Sequence, residues 1–175
     1  GSEMCIRDSV KEYPFSQLRG MIGIVPQKAV LFKGTIRHNM QWRDKNATDE
    51  DIWNALDIAQ AKDFVEKKPD KLDEMILQEG KNLSGGQRQR LTIARALVGD
   101  PEILILDDSA SALDLATDAR LRKAIHEKTS GMTVFIVSQR ISSIKSADKI
   151  IVLDDGKIAG IGTHSELYKG CEVYK

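Results

Sequence analysis

Apolar positions along the chain follow two different periods. Met21-Ile22-Gly23-Ile24-Val25 is an unbroken apolar run that stops at Pro26, which predicts a short strand and then a loop. Beyond Thr48 the spacing lengthens, and Ile52, Ala55, Leu56 and Ala59 recur at helical intervals. Thr35 and Thr48 are predicted N-caps, because a threonine oxygen accepts from the free amides of a first helical turn. Thr48-Asp49-Glu50-Asp51 resembles a capping box with aspartate in place of glutamate. On this pattern residues 34–98 are mostly helical.

The pattern then changes. Ile103-Leu104-Ile105-Leu106 is a continuous, partly β-branched run, expected of a strand covered on both faces. Residues 116–128 read as a helix with Leu121, Ala124 and Ile125 facing inward. Residues 133–137 and 149–153 are further buried-strand candidates. Asp155-Gly156 is a tight-turn signal, with 157–161 returning as a hairpin. Thr163-His164-Ser165-Glu166 is set to cap a last short helix. A strand, a helical insert, and then alternating strands and helices predict an α/β domain with a largely parallel sheet.

Composition narrows the class. The 175 residues suffice for one substantial core, and 41% hydrophobic with 30% charged residues describes a globular chain rather than a disordered one. A formal net charge of zero gives no electrostatic footprint for nucleic acid or an anionic membrane. No apolar run approaches the roughly 18 residues of a membrane span. Cys5 and Cys171 do not make a disulfide framework. Residues 1–8, beginning Gly1-Ser2, lack a signal-peptide pattern and are read as a non-native leader.

Two segments carry candidate chemistry. Leu83-Ser84-Gly85-Gly86-Gln87 opens a helix whose buried stripe is Leu91, Ala94, Leu97 and Val98, and which Gly99 and Pro101 end. Its glycines admit close approach of a ligand to the backbone, its first amides and positive dipole end favour an anion such as phosphate, and Ser84 adds a hydroxyl donor. The alternative is a serine-capped helix after a glycine turn. Asp107 and Asp108 follow a buried strand, where ligands of open α/β sheets gather. One carboxylate can hold Mg²⁺, usually through water, and the other can orient or activate an attacking water. The alternative there is a solvated aspartate pair capping a turn.

Taken in order, Val25-Pro26-Gln27, residues 83–87, 103–108, 111–114 and Ser138-Gln139-Arg140 resemble the nucleotide-binding domain of ABC exporters. The resemblance implies a partial P-loop NTPase (RecA-like) α/β core with a mainly parallel sheet over residues 9–175, and an ABC helical subdomain at about 34–98. By this resemblance Gln27 is the Q-loop glutamine, which reaches Mg²⁺ and the attacking water and senses the transmembrane partner. Ser84, Gly85, Gly86 and Gln87 are the signature that contacts the γ-phosphate of ATP held by an opposite subunit. Asp107 is the Walker B aspartate and a Mg²⁺ ligand. Ser111, Ala112, Leu113 and Asp114 form the D-loop of a dimer interface.

The sequence departs from that family in three ways. A P-loop needs Gly-x-x-x-x-Gly-Lys-Ser/Thr. The two Gly-Lys pairs here continue as Gly80-Lys81-Asn82 and Gly156-Lys157-Ile158, and neither matches. The chain is therefore expected to be an N-terminally truncated portion, inactive by itself, with apolar surface exposed where the phosphate-binding strand and helix are missing. Asp108 stands where active members have glutamate, and Gln139 where they have the switch histidine. Glutamine can hydrogen-bond a phosphate but cannot titrate like imidazole. Together these changes resemble one subunit of a heterodimeric exporter, whose signature serves the partner's competent ATP site while Asp108 and Gln139 belong to a degenerate one. The expected setting is the cytoplasmic face of the cell membrane, with ATP and Mg²⁺ bound by the full-length dimer and no nucleic acid. Alternatives are a soluble ABC-type ATPase acting on the ribosome or DNA, and a non-catalytic dimerisation module.

Overall fold

The computed structural model describes residues 10–109, 112–129 and 131–175. The expected leader, with Cys5, and Ser111 lie outside the described residues. The chain divides into two compact units, Gly1–Val137 and Ser138–Lys175.

In the first unit, helix α1 (Phe15–Met21) runs directly into strand β1 (Ile22–Val25). Met21, expected to open the strand, closes the helix instead. Pro14 starts α1 and its carbonyl accepts from the Leu18 amide at 3.0 Å, but no residue of the helix is buried. An element without a buried face leaves no apolar period to read.

Strand β1 pairs in parallel with β4 (Ile103–Asp107), which pairs in parallel with β5 (Thr133–Val137), giving a three-stranded sheet in the order β1-β4-β5. The parallel α/β expectation is met by this sheet. The expectation that its strands are covered on both faces is not. Gly23, Val25, Leu104 and Leu106 are buried on one face. On the other, Ile24 and Phe135 are 60% and 55% exposed, Val137 is exposed, and Ile103 and Ile105 are half-buried. A run that is apolar on both sides of the pleat does not reveal that packing covers only one of them.

The covering on the buried face begins with the helical stretch. It comprises α2 (Ile36–Gln41), α3 (Asp49–Ile58), α4 (Lys62–Glu66) and α5 (Gly85–Leu97), with a short antiparallel pair, β2 (Gly34–Thr35) and β3 (Met75–Ile76). Ile36, Met40, Ile52, Leu56, Leu91 and Ala94 are buried in one continuous core with Val25, Leu104 and Leu106. Each fully buried Leu or Ile contributes about 1.5–3 kcal/mol. Thr35 caps α2, accepting from the His38 amide at 3.0 Å. Thr48 and Asp51 form the expected capping box of α3. Arg37 ties these pieces together by pairing with both Asp49 and Asp73. Helix α6 (Leu115–Lys128) follows β4, with Leu121, Ala124 and Ile125 buried as expected.

Helix α5 approaches the sheet closely at Gly23. A Cβ added there would lie 2.5 Å from the Ala96 carbonyl oxygen and 3.2 Å from Pro101 Cγ, so only glycine lets strand and helix backbones meet. The helix stops where the sequence signals it, with Gly99 at φ 79° and the Asp100 amide donating to the Leu97 carbonyl at 3.2 Å.

The second unit holds α7 (Ile141–Ile144), β6 (Ile150–Asp154), β7 (Lys157–Gly162) and α8 (His164–Gly170). Strand β6, the third strand candidate, pairs antiparallel with β7 in a two-stranded sheet, the expected hairpin. Asp155 and Gly156, both at positive φ, turn the chain straight back and dictate that pairing. Ile150, Leu167, Cys171 and Tyr174 make its small core, and Thr163 with Glu166 forms the expected capping box. Among the described residues no helix is long and apolar enough to cross a membrane.

Two expected outcomes follow from this packing. Gly23→Ala forces β1 away from α5 and lowers unfolding stability by about 1–3 kcal/mol; a urea midpoint equal to that of the parent chain contradicts the contact. The second concerns pH. Asp51, Asp114 and Glu166 are held below the usual carboxylate range by the threonines they cap with, and Asp73 by its bond to Arg37. Carboxylates with depressed folded pKa values stabilise the fold above about pH 4, and that contribution is lost as pH falls through the lower folded values. Urea midpoints measured from pH 6 to pH 3 should fall at the acid end. The fall should be shallower in Asp114→Asn, which keeps a capping oxygen; identical slopes contradict the assignment.

Candidate functional site

Strands β1 and β4 are parallel neighbours, so their C-terminal ends finish side by side. After Val25 and Pro26 comes the exposed Gln27, and Asp107 is the last residue of β4. Strand alternation puts Asp107 on the open face with Ile103 and Ile105. Asp108 then leaves the strand at φ 41°, in the left-handed region that aspartate tolerates better than most residues. Its amide donates to the Val137 carbonyl at 2.9 Å, so β5 fixes the turn. The turn brings Asp108 Oδ2 to 3.4 Å from Gln27 Nε2, which donates to it in a long hydrogen bond. Residues 81 apart in sequence thus share one strand-end cluster.

A second cluster forms at the start of α5. Ser84 is the N-cap: its Oγ accepts from the Gln87 amide at 3.2 Å, and its own amide donates to Gln87 Oε1 at 3.0 Å. The capped-helix reading is met, and the cap leaves in place what an anion needs. The Ser84 hydroxyl proton is free to donate, the Gly85 and Gly86 amides have no intrahelical partner, and they sit at the positive end of the helix dipole. Ser84 and Gly85 are exposed. The approach to the turn is tied down: Arg88 Nη1 donates to the Leu83 carbonyl at 2.7 Å, and Asn82 Nδ2 donates to the Met75 carbonyl at 2.8 Å.

Residues 112–114 run beside that turn. A Cβ on Gly86 would lie 3.4 Å from the Ala112 carbonyl oxygen. Leu113 is buried, and Asp114 caps α6 by accepting from the Thr117 amide at 2.9 Å and from its hydroxyl at 2.7 Å. Those two bonds, the hydroxyl first, hold the Asp114 carboxyl below its usual range. Ser111 lies outside the described residues. Gln139 is exposed and belongs to the second unit, between Ser138 and Arg140, whose amide donates to Ser138 Oγ at 3.0 Å.

Among the described residues, no group of three or more His, Cys, Asp or Glu is arranged to hold a metal alone. Asp107, Asp108 and the Gln27 carbonyl oxygen fit another kind of site. Mg²⁺ prefers hard oxygen ligands, keeps several waters and is commonly held by one or two carboxylates with phosphates supplying the rest.

Sequence reasoning passed over the residues that shape the loop after Gln27. Asn39 is fully buried; its Nδ2 donates to the Phe32 and Thr35 carbonyls at 2.9 and 3.0 Å, and its Oδ1 accepts from the Phe32 amide at 2.9 Å. Arg95, on α5, donates through Nη2 to the Val30 carbonyl at 2.9 Å and lies 5.5 Å from the centre of the Phe32 ring. Burial lowers its pKa from the usual guanidinium value. The available signals were slight: a polar residue beside Met40 on a buried helical face, and an arginine among the mostly apolar residues 91–97 of α5.

Comparison with known proteins identifies the family. The family model described as ABC transporter matches residues 4–111. The chain is 46% identical over 166 residues to the ABC transporter ATP-binding protein YfiB of Bacillus subtilis (strain 168), covering 95% of this chain and 29% of that protein. It is 44% identical over 158 residues to a probable multidrug resistance ABC transporter ATP-binding/permease protein, YheI, of the same organism, covering 90% of this chain and 27% of that protein. Its fold is similar to a bacterial Atm1-family ABC exporter solved with ATP bound, at a TM-score of 0.86 and 36% identity, over 91% of this chain and 28% of that one. The chain thus spans less than a third of the length of these relatives. With the matched family model extending over more than half of its residues, the chain belongs to the ABC transporter family.

Proposed function

We propose that this chain is part of the ATP-hydrolysing subunit of an exporter, and that it offers its signature turn to nucleotide held by a second subunit. The observation that carries the reading is that two differently equipped clusters are built on different elements. The carboxylates and Gln27 stand at the strand ends, while the Ser84 turn presents a hydroxyl and glycine amides at the exposed start of another element. A site shared between subunits uses one cluster from each.

In this reading Asp107 would hold Mg²⁺, usually through water, and the ion would supply positive charge against the phosphates. Asp108 and Gln27 orient the attacking water, which adds to the γ-phosphorus as the bond to the β–γ bridging oxygen breaks, releasing ADP and phosphate. Aspartate at position 108 reaches one methylene less far than glutamate, and a displacement of about 1 Å costs on the order of 100-fold in rate. Gln139 donates a hydrogen bond to phosphate but carries no titrating proton. The chain's own site is therefore slow, and its signature matters more than its carboxylates. Residues 112–114 line the dimer interface, and the loop after Gln27 faces the transmembrane domain at the cytoplasmic side. The open apolar face around Ile24 and Phe135 suits a chain whose relatives are much longer.

The ranking is testable in the full-length protein co-expressed with its partner. Ser84→Asp keeps a capping oxygen, removes the hydroxyl donor and adds a charge that repels phosphate; it should abolish most ATP turnover, whereas Asp108→Asn should have a smaller effect. The reverse ranking overturns the assignment. The isolated chain, lacking a phosphate-binding loop, should neither bind ATP tightly nor hydrolyse it. Robust turnover by the chain alone, above that of a buffer blank, contradicts this.

A further inference from the structure

One arginine near the Ser84 turn has a role that none of the foregoing assigns. Helix α3 ends in an unusual way. Gln60 adopts φ 58°, its amide donates to the Asp57 carbonyl at 3.1 Å, and the Ala61 amide donates back to the Leu56 carbonyl at 2.7 Å. This pair of bonds closes a helix through a left-handed residue, a position usually given to glycine. It also swings the Gln60 carbonyl outward, where it accepts from Arg90 Nη1 at 2.6 Å.

Arg90 lies on the first turns of α5 and has two further partners. Its Nε donates to the Gly86 carbonyl at 3.3 Å, and its guanidinium carbon lies 4.9 Å from the centre of the Phe64 ring on α4. The group is thus held between the corner that joins α3 to α4 and the glycine turn itself. Beside that turn also runs the Ala112 carbonyl, 3.4 Å from where a Gly86 Cβ would sit. Burial lowers the arginine's pKa, and the nearby Asp114 charge opposes that effect. A planar fork with donors in fixed directions can serve two carbonyls and a ring face together; a lysine ammonium on a flexible stem cannot.

We infer that Arg90 is a positioning residue, which holds the Gly86 peptide of the signature turn against the α3–α4 corner and the 112–114 loop. It touches no phosphate and acts through Gly86. The inference rests on the proposed trans role of the turn, and it adds that the helical insert controls how accurately the turn is presented.

The test uses the full-length pair, a photoreactive ATP that labels each subunit's site separately, and vanadate to trap the nucleotide after hydrolysis. Arg90→Lys keeps the charge and much of the stem. It should lower trapping at the partner's site about 10-fold, within the range expected for a misplaced group. Trapping at this subunit's own site, the KM for ATP and the folded fraction should each stay within about twofold. Phe64→Leu, which removes only the ring face, should show the same selectivity at about threefold, and it decides the matter by the same criterion if Arg90→Lys fails to fold. Equal losses at both sites mean a merely structural arginine and overturn the inference. So does an unchanged partner site in a pair where Ser84→Asp still loses trapping there selectively. If Ser84→Asp shows no such selectivity, the trans reading itself fails and takes the inference with it.

Discussion

The arrangement depends on a contact in which the Gly23 residue of β1 makes room for the backbone of α5. The distance from that strand position to the Ala96 carbonyl leaves no space for a Cβ. It sets the height of the helix over the sheet, and the helix carries the glycine turn at its N-terminal end and Arg95 near its other end. With α5 at that height, Arg95 reaches the Val30 carbonyl beyond Gln27, and Leu91 and Ala94 close the core above Val25 and Leu104. A larger residue at position 23 would alter both clusters without touching either.

The same helix anchors its surroundings by a repeated device. Arg88, Arg90 and Arg95 each donate to main-chain carbonyls: those of Leu83, Gln60 and Val30. Carbonyls of irregular segments need donors when they are taken out of water, and a guanidinium supplies a charge-assisted one with several directions. The loops around the candidate site are thus fixed without regular secondary structure. Desolvation works against the charge of Arg90 and Arg95, and it is the first cause of the lowered pKa of each. The bonds to these carbonyls offset part of that cost.

What could be read from the sequence divides along physical lines. Capping boxes at Thr48 and Thr163 were visible because the cap and its partner are three residues apart, and the same spacing forms the bonds; at Ser84 the cap was visible but not its box with Gln87. The hairpin turn at Asp155-Gly156 was visible for the same local reason. Less was visible where the outcome is set by distant packing. The apolar runs at 103–106 and 133–137 could not show that one sheet face stays open. The 149–153 run was expected to be a buried strand, but Ile151 and Leu153 are exposed in the hairpin it forms with β7. At the candidate site the residue types were legible, but not the left-handed backbone of Asp108 or the bond that draws Gln27 to it. Arg90 and Gln60 are 30 residues apart, and nothing in their local spacing announces that they meet.

The reciprocal bonds between Ser84 and Gln87 have a consequence for the energetics of recognition. They lock the glycine turn in the folded chain with no ligand present, although glycine is the residue with the most backbone freedom to lose. The conformational entropy of ordering those amides is therefore spent during folding. In the proposed role of the turn, a phosphate would meet amides that folding has already ordered, so that their ordering would not count against binding.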